Sequence, residues 1–167
     1  ILNVNKLGKD LDYYQISGVS PSPNNNIIAY GEDKNGRREY TVKFKDLKSD
    51  SLLIDELQNT SGNISWGNDE YIYYTLKDPK TLISNKVFRH KLGESQKDDF
   101  LIYEELDDQF NLSISKSRTD RYIYINSSKT ESNEIWIIDL ENILEEPRCL
   151  LERSDKHLYY VEDTPAS

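Results

Sequence analysis

The sequence predicts an all-β fold: a partial β-propeller of four-stranded antiparallel blades, about three of them complete, with a partial blade at each end. Three observations lead there. An apolar residue, a polar turn and a short aromatic-bearing strand follow one another three times, from Val19 to Tyr30, Ile64 to Tyr74 and Ile114 to Ile125. Aligning Ser20, Trp66 and Ser115 gives spacings of 46 and 49 residues, within the roughly 40–50 residues of a propeller blade. The third candidate strand of each repeat also ends alike, in Asp46-Leu47, Lys91-Leu92 and Asp139-Leu140.

Taken in order, Ile1-Leu2-Asn3-Val4 reads as the last strand of an earlier unit, and residues 1–15 as a partial blade. The first full unit spans 16–57, with strands at 16–19, 27–30, 40–45 and 52–54. Asn35-Gly36 predicts a tight hairpin, because both residues tolerate the positive φ of a type I′ turn. Tyr40, Val42 and Phe44 alternate with Thr41, Lys43 and Lys45, the period of a half-buried strand. The second unit, 62–105, has strands at 62–66, 71–76, 86–92 and 100–103. The third, 110–152, has strands at 110–115, 121–126, 134–140 and 148–151. Asn142 to Glu146, stopped by Pro147, allows no more than a helical turn. Leu158-Tyr159-Tyr160-Val161 opens a further partial blade, 157–167. Repeat units bury their apolar faces mainly against neighbours. Three blades without a closed ring therefore leave apolar surface bare at both ends, which predicts self-association.

Composition narrows the function classes. The chain has 167 residues, 31% charged and 36% apolar, and a net charge of −9. No apolar run approaches the ~20 residues that span a bilayer, and no local basic footprint suits nucleic acid. The acidic balance suits either plain solubility or the steering of cationic peptides. With one cysteine, Cys149, no intrachain disulfide forms; together with the lack of a signal-like start this predicts a cytoplasmic protein. The chain starts at Ile1 and contains no Met, so it reads as a fragment.

No catalytic, cofactor-binding or metal-ligating residue is assigned, and no cofactor is expected. The Gly-x-Ser-x-Gly elbow is absent, and the two histidines, His90 and His157, read as structural or solvated. Asp98-Asp99, Glu104-Glu105 and Asp107-Asp108 supply oxygens, but their spacing is not that of an EF-hand loop; they read as solvated loop charge. The Cys and His residues make no zinc signature, and glycine-rich phosphate loops are missing. Four Asn-x-Ser/Thr sequences, beginning at Asn59, Asn63, Asn111 and Asn126, read as chance matches in an Asn-rich chain. The basic stretch from Lys34 to Lys45 reads as the outer face of a hairpin, Trp66 and Trp136 as core, and Cys149 as a small buried apolar residue.

Several of these stretches together resemble a known family. They are Ser20-Pro21 with Ile28-Ala29-Tyr30; Tyr40 to Leu47; Asp55-Glu56 with Asn59-Thr60-Ser61-Gly62 and Trp66; Val87 to Gly93; Tyr103-Glu104-Glu105 with Asp107 and Phe110; and Ser127-Ser128-Lys129-Thr130 with Glu134-Ile135-Trp136. They resemble the propeller of the prolyl oligopeptidase family, in its oligopeptidase B (protease II) branch. The resemblance implies a seven-bladed propeller that caps an α/β-hydrolase domain and admits only short peptides. It places the catalytic Ser, Asp and His in that other domain, so the fragment alone is catalytically silent. It also implies a serine-type oligopeptidase with cleavage after Lys or Arg; cleavage after proline stays open. The expected partners are short basic peptides and the hydrolase domain of the parent chain. A stand-alone propeller serving as a protein-interaction scaffold is the alternative, since fold does not fix function.

Overall fold

The computed structural model describes residues 1–165. Eleven strands make two antiparallel sheets. The first sheet runs in sequence order through β1 (Gln15–Pro21), β2 (Ile27–Asp33), β3 (Tyr40–Asp46), β4 (Ser51–Trp66), β5 (Tyr71–Lys77), β6 (Ser84–Lys91) and β7 (Phe100–Glu104). The second contains β8 (Asn111–Lys116), β9 (Tyr122–Lys129), β10 (Ser132–Asp139) and β11 (Arg148–Leu151). This is the architecture of a partial propeller. Among the described residues, no helix is long and apolar enough to cross a membrane.

Strand β4 is 16 residues long and serves two units at once. Its first half pairs with β3 as the outermost strand of the first unit; its second half pairs with β5 as the innermost strand of the next. The sequence predicts two strands here, at 52–54 and 62–66. The chain instead continues through a bend with a register shift between Thr60 and Ile64. Asn59 and Gly62 take positive φ at the bend, 59° and 84°. A Cβ on Gly62 would lie 2.9 Å from the Tyr40 ring, so only glycine fits.

The same backbone bonds recur in each unit. The turn after the innermost strand is closed by Ser22 N–H to Ile27 O, Gly67 N–H to Tyr71 O and Ser117 N–H to Tyr122 O. The leucine that ends each third strand donates across the sheet: Leu47 to Asn26 O, Leu92 to Glu70 O and Leu140 to Arg121 O. The three similar sequence endings thus reflect one repeated contact.

Two apolar layers lie between the units. Ala29, Val42, Phe44, Leu57, Trp66, Ile72 and Tyr74 fill the first. Tyr73, Val87, Ile102, Leu112, Ile114, Ile123, Ile125 and Ile138 fill the second. The adjacent residues Tyr73 and Tyr74 enter opposite layers because successive strand side chains point to opposite faces. Strand β5 is therefore buried on both faces, and β3 alternates, with Tyr40, Val42 and Phe44 inside. Ile54 in the first unit and Leu144 and Tyr160 at the far end stand 96%, 72% and 88% exposed.

Three local expectations are corrected. Residues 1–4 are not a strand: Val4–Leu7 forms one helical turn, capped by the Asn3 side chain accepting from Lys6 N–H. Asn35-Gly36 does not make a two-residue turn. Residues 34–39 form a longer loop folded around the Asp33 carboxylate, which accepts from the N–H groups of Asn35, Gly36 and Arg38. Its left-handed residues are Gly36 and Arg38, not Asn35. Residues 158–161 form no strand. They lie beside the third unit, with Asn133 bonding Tyr159 N–H and C=O, but no second strand follows for them to pair with among the described residues. The last two residues of the partial blade expected at 157–167 lie outside the described range.

Candidate functional site

The innermost strands β1, the second half of β4, and β8 approach one another along one side of the molecule. Backbone edges that a flat sheet would pair with a neighbouring strand are here satisfied by side chains of an adjacent unit. Trp66 Nε1–H donates to Ser20 O at 3.0 Å. Asn63 accepts from Ile114 N–H at 2.7 Å and donates to Ile114 O at 3.0 Å, so one amide replaces a strand edge. Gly18, at φ 61°, approaches so closely that a Cβ would sit 2.4 Å from Gly62 O.

The turns that follow these strands surround a cavity of about 670 Å³. Ser20, Pro21 and Ser22 line it from the first unit, Trp66, Asn68 and Asp69 from the second, and Ser115, Lys116 and Asp120 from the third. The turns are pinned across units: Asn24 N–H donates to the Asp69 carboxylate at 2.9 Å. Arg118 N–H donates to Asp163 at 2.8 Å over the same separation of 45 residues. Asp163 thus serves the third unit as Asp69 serves the first. Asp69 and Asp120 are exposed, and Lys116 stands 4.0 Å from Asp120. The surface can bind polar or cationic groups. Both histidines lie outside it, so its serines have no imidazole base.

Farther from the cavity, buried polar groups tie the units together. His90 on β6 is fully buried; its Nδ1 lies 2.6 Å from Asp99 and its Nε2 3.0 Å from Asp55 on β4. Asp99 also accepts from Tyr74 Oη, and Asp55 from Gly93 N–H. Burial alone would lower the His90 pKa, but the hydrogen bonds to Asp99 and Asp55 outweigh it and hold the imidazole above its ordinary 6.5. Each ring nitrogen is occupied by a carboxylate, so the three side chains do not converge on a point where a metal would sit. Glu105, just after β7, accepts from Arg153 at 2.7 and 3.2 Å and from Ser127 at 2.5 Å. Burial alone would raise its pKa; Arg153, Ser127 and the Asp107 N–H together keep it below the ordinary 4.5.

These contacts correct the reading of the acidic clusters as solvated. Asp99 and Glu105 have side chains only 2% and 3% exposed, whereas Asp98, Glu104 and Asp108 face solvent. His90 is structural, and His157 is exposed beside Tyr159. The basic hairpin is largely neutralised: Lys34 and Lys43 pair with Glu32, and Lys45 with Asp50. Trp66 is core; Trp136 is half-buried against the second layer. Cys149 is half-exposed rather than buried, opposite Trp136 on β10, because β11 is an edge strand.

Residues 1–166 match the family model described as the prolyl oligopeptidase N-terminal β-propeller domain. Dipeptidyl aminopeptidase BI of Pseudoxanthomonas mexicana is 42% identical over 136 residues, covering 81% of this chain and 19% of that protein. Protease 2 of Moraxella lacunata is 34% identical, over 97% of this chain and 24% of that protein. Among solved structures, oligopeptidase B from Leishmania major superposes over 98% of this chain and 23% of its own, with a TM-score of 0.93 and 28% identity. Oligopeptidase B from Trypanosoma brucei, in a closed form with covalently bound antipain, gives a TM-score of 0.89 at 26% identity, over 98% of this chain and 23% of that one. The chain thus spans between 19% and 24% of these curated relatives.

Proposed function

Because this chain belongs to the N-terminal β-propeller domain family of the prolyl oligopeptidases, we propose that it is the filter of a cytoplasmic serine-type oligopeptidase that hydrolyses short peptides after Lys or Arg. The observation that carries this reading is the cavity ringed by the first turns of three successive units. Its walls are sheets whose inner strands are tied across units by Trp66 and Asn63 and whose first turn is pinned by Asp69. An opening between such walls admits an extended peptide and excludes a folded domain by size. Exposed Asp69 and Asp120 at its edge, with a net charge of −9, favour cationic peptides by steering and by short-range attraction. The serine, histidine and aspartate that cleave the bond belong to an α/β-hydrolase domain of the parent protein. The propeller's part is to select the substrate and to limit water at the reacting face. The single cysteine supports the cytoplasmic setting.

The test compares the parent protein with the 167-residue chain on fluorogenic dipeptide reporters ending in Lys, Arg or Pro. The parent should turn over the basic reporters and the chain alone none. Replacing exposed Asp120 by Lys in the parent should raise KM for basic peptides and leave kcat unchanged. Inhibitor-sensitive turnover by the chain alone, or a parent that cleaves folded proteins as readily as peptides, would overturn the reading.

A further inference from the structure

The Asp55–His90–Asp99 group has no part in the filter, yet it is the most thoroughly buried cluster of titratable side chains in the molecule's first seam. His90 is 1% exposed at its side chain, Asp55 4% and Asp99 2%. It joins two units: Asp55 stands on the first half of β4, the outer strand of the first unit, while His90 and Asp99 belong to the second. We propose that Asp55, His90 and Asp99 form a proton-dependent latch that holds the first two units together at their rim, with the bend of β4 as its hinge.

The geometry supports both parts. The two units are one continuous sheet through β4, so they cannot slide apart; they can only fold or unfold about the bend from Asn59 to Gly62, where both of these residues are left-handed. On the inner side of the hinge the Gly18–Gly62 approach and the Trp66–Ser20 bond hold the units. On the outer side the bridges include the imidazole, the Gly93 N–H that donates to Asp55 at 2.6 Å, and the Gln96 amide, which accepts from Gln58 N–H at 2.8 Å and donates to Gln58 O at 3.1 Å. Doubly protonated, His90 donates from both nitrogens and balances part of the charge of two buried carboxylates. Neutral, it has one N–H and one lone pair. Wherever that lone pair points it meets a carboxylate oxygen, and a buried acceptor facing an acceptor is unfavourable.

The groups that face the imidazole are few. Asp55 comes from β4, Asp99 from the segment before β7, and Tyr74 from β5 acts through its bond to Asp99. Phe44 from β3 stacks at 6.0 Å and carries no charge. At the end of β6, half-buried Lys91 pairs with exposed Glu94 of the following turn at 3.2 Å. The sign follows from the raised His90 pKa. The latch is fully formed below the ordinary histidine value of 6.5 and is lost as pH rises through the folded value.

Histidine-selective NMR of the full chain tests this, since His90 and His157 are the only two histidines. His90 should keep both protons above pH 6.5. As it loses one, exchange of the Gly93 amide, corrected for its intrinsic pH dependence, should rise. The unfolding equilibrium should shift by about tenfold for each pH unit between the unfolded and folded values. Amides of the second seam, such as Ile114, should respond only through global unfolding, and so no more than that equilibrium shifts. The His90→Gln variant should lose the pH response, and Asp99→Asn should move the His90 titration downward. A His90 that titrates at or below 6.5, or Gly93 protection unchanged through the titration, would overturn the proposal. So would the same pH response in His90→Gln. The wild-type titration decides the matter even where a variant does not fold.

Discussion

Replacing Asn63 by Ala removes two hydrogen bonds at once, and their contribution can be worked out from the structure. The amide reaches Ile114 N–H at 2.7 Å and Ile114 O at 3.0 Å, and Ile114 is only 5% exposed. Strand β8 has its partner β9 on the other side, so no backbone group takes the amide's place. A typical net contribution is about 0.5–1.5 kcal/mol per bond, giving roughly 2 kcal/mol for the pair. For a chain of this size that lowers Tm by about 4–8 °C. The Asn63→Asp variant refines the test, because it keeps the shape and the acceptor but replaces the donor with a second carboxylate oxygen facing Ile114 O. It should be less stable than wild type at neutral pH and recover in acid, where the protonated carboxyl donates again. Urea unfolding followed by tryptophan fluorescence, at pH 7 and pH 4, measures both effects. An Asn63→Ala loss below about 0.5 kcal/mol, or an Asn63→Asp variant indifferent to pH, would refute the idea that this amide stands in for a strand edge.

Three further outcomes follow from contacts already described. Gly18→Ala should destabilise by more than about 2 kcal/mol, combining a left-handed backbone with overpacking against the Gly62 carbonyl; a thermal melt within a degree of wild type would contradict it. Tyr73→Phe should leave stability unchanged or raise it by about 1 kcal/mol, because the buried Tyr73 hydroxyl has no well-formed hydrogen bond among the described residues, the nearby Arg89 guanidinium included; a clear loss in urea midpoint would show that the hydroxyl is bonded. Glu105, with its lowered pKa, contributes stability that is present above the unfolded carboxyl value and disappears as pH falls through the folded value. Glu105→Gln should therefore flatten the acid limb of the stability curve, and an acid limb identical to wild type would exclude Glu105 as its source.

The strands were legible because alternation is a strong signal where one face is buried. Tyr40, Val42 and Phe44 announce β3, and all three are inside. The repeat was legible because each unit reuses one contact set, down to the leucine at the end of the third strand. Turns were less so. Asn35-Gly36 has the composition of a two-residue hairpin, but the Asp33 carboxylate captures the following N–H groups and opens a longer loop. Local composition could not separate Asp98 from Asp99, since one residue decides which of them meets His90. A usable sign of the buried cluster was present in β4, where Asp55 shares a face with Leu53 and Leu57. An aspartate in phase with leucines implies a partner, and the partner was one of only two histidines. The cavity had no such sign, because it is made of ordinary turn residues from three distant stretches.

The two seams differ in how they would answer to a pulling force. Across the first, the polypeptide itself runs through as β4, so separation there must break main-chain pairing with β3 or β5. Across the second, β7 and β8 lie in different sheets. Side chains carry the load there: the Asn63 amide, the Glu105–Arg153 pair and the apolar layer between them. A chain stretched from its ends should give way first between residues 104 and 111, shedding the third unit whole while the first two remain as one body.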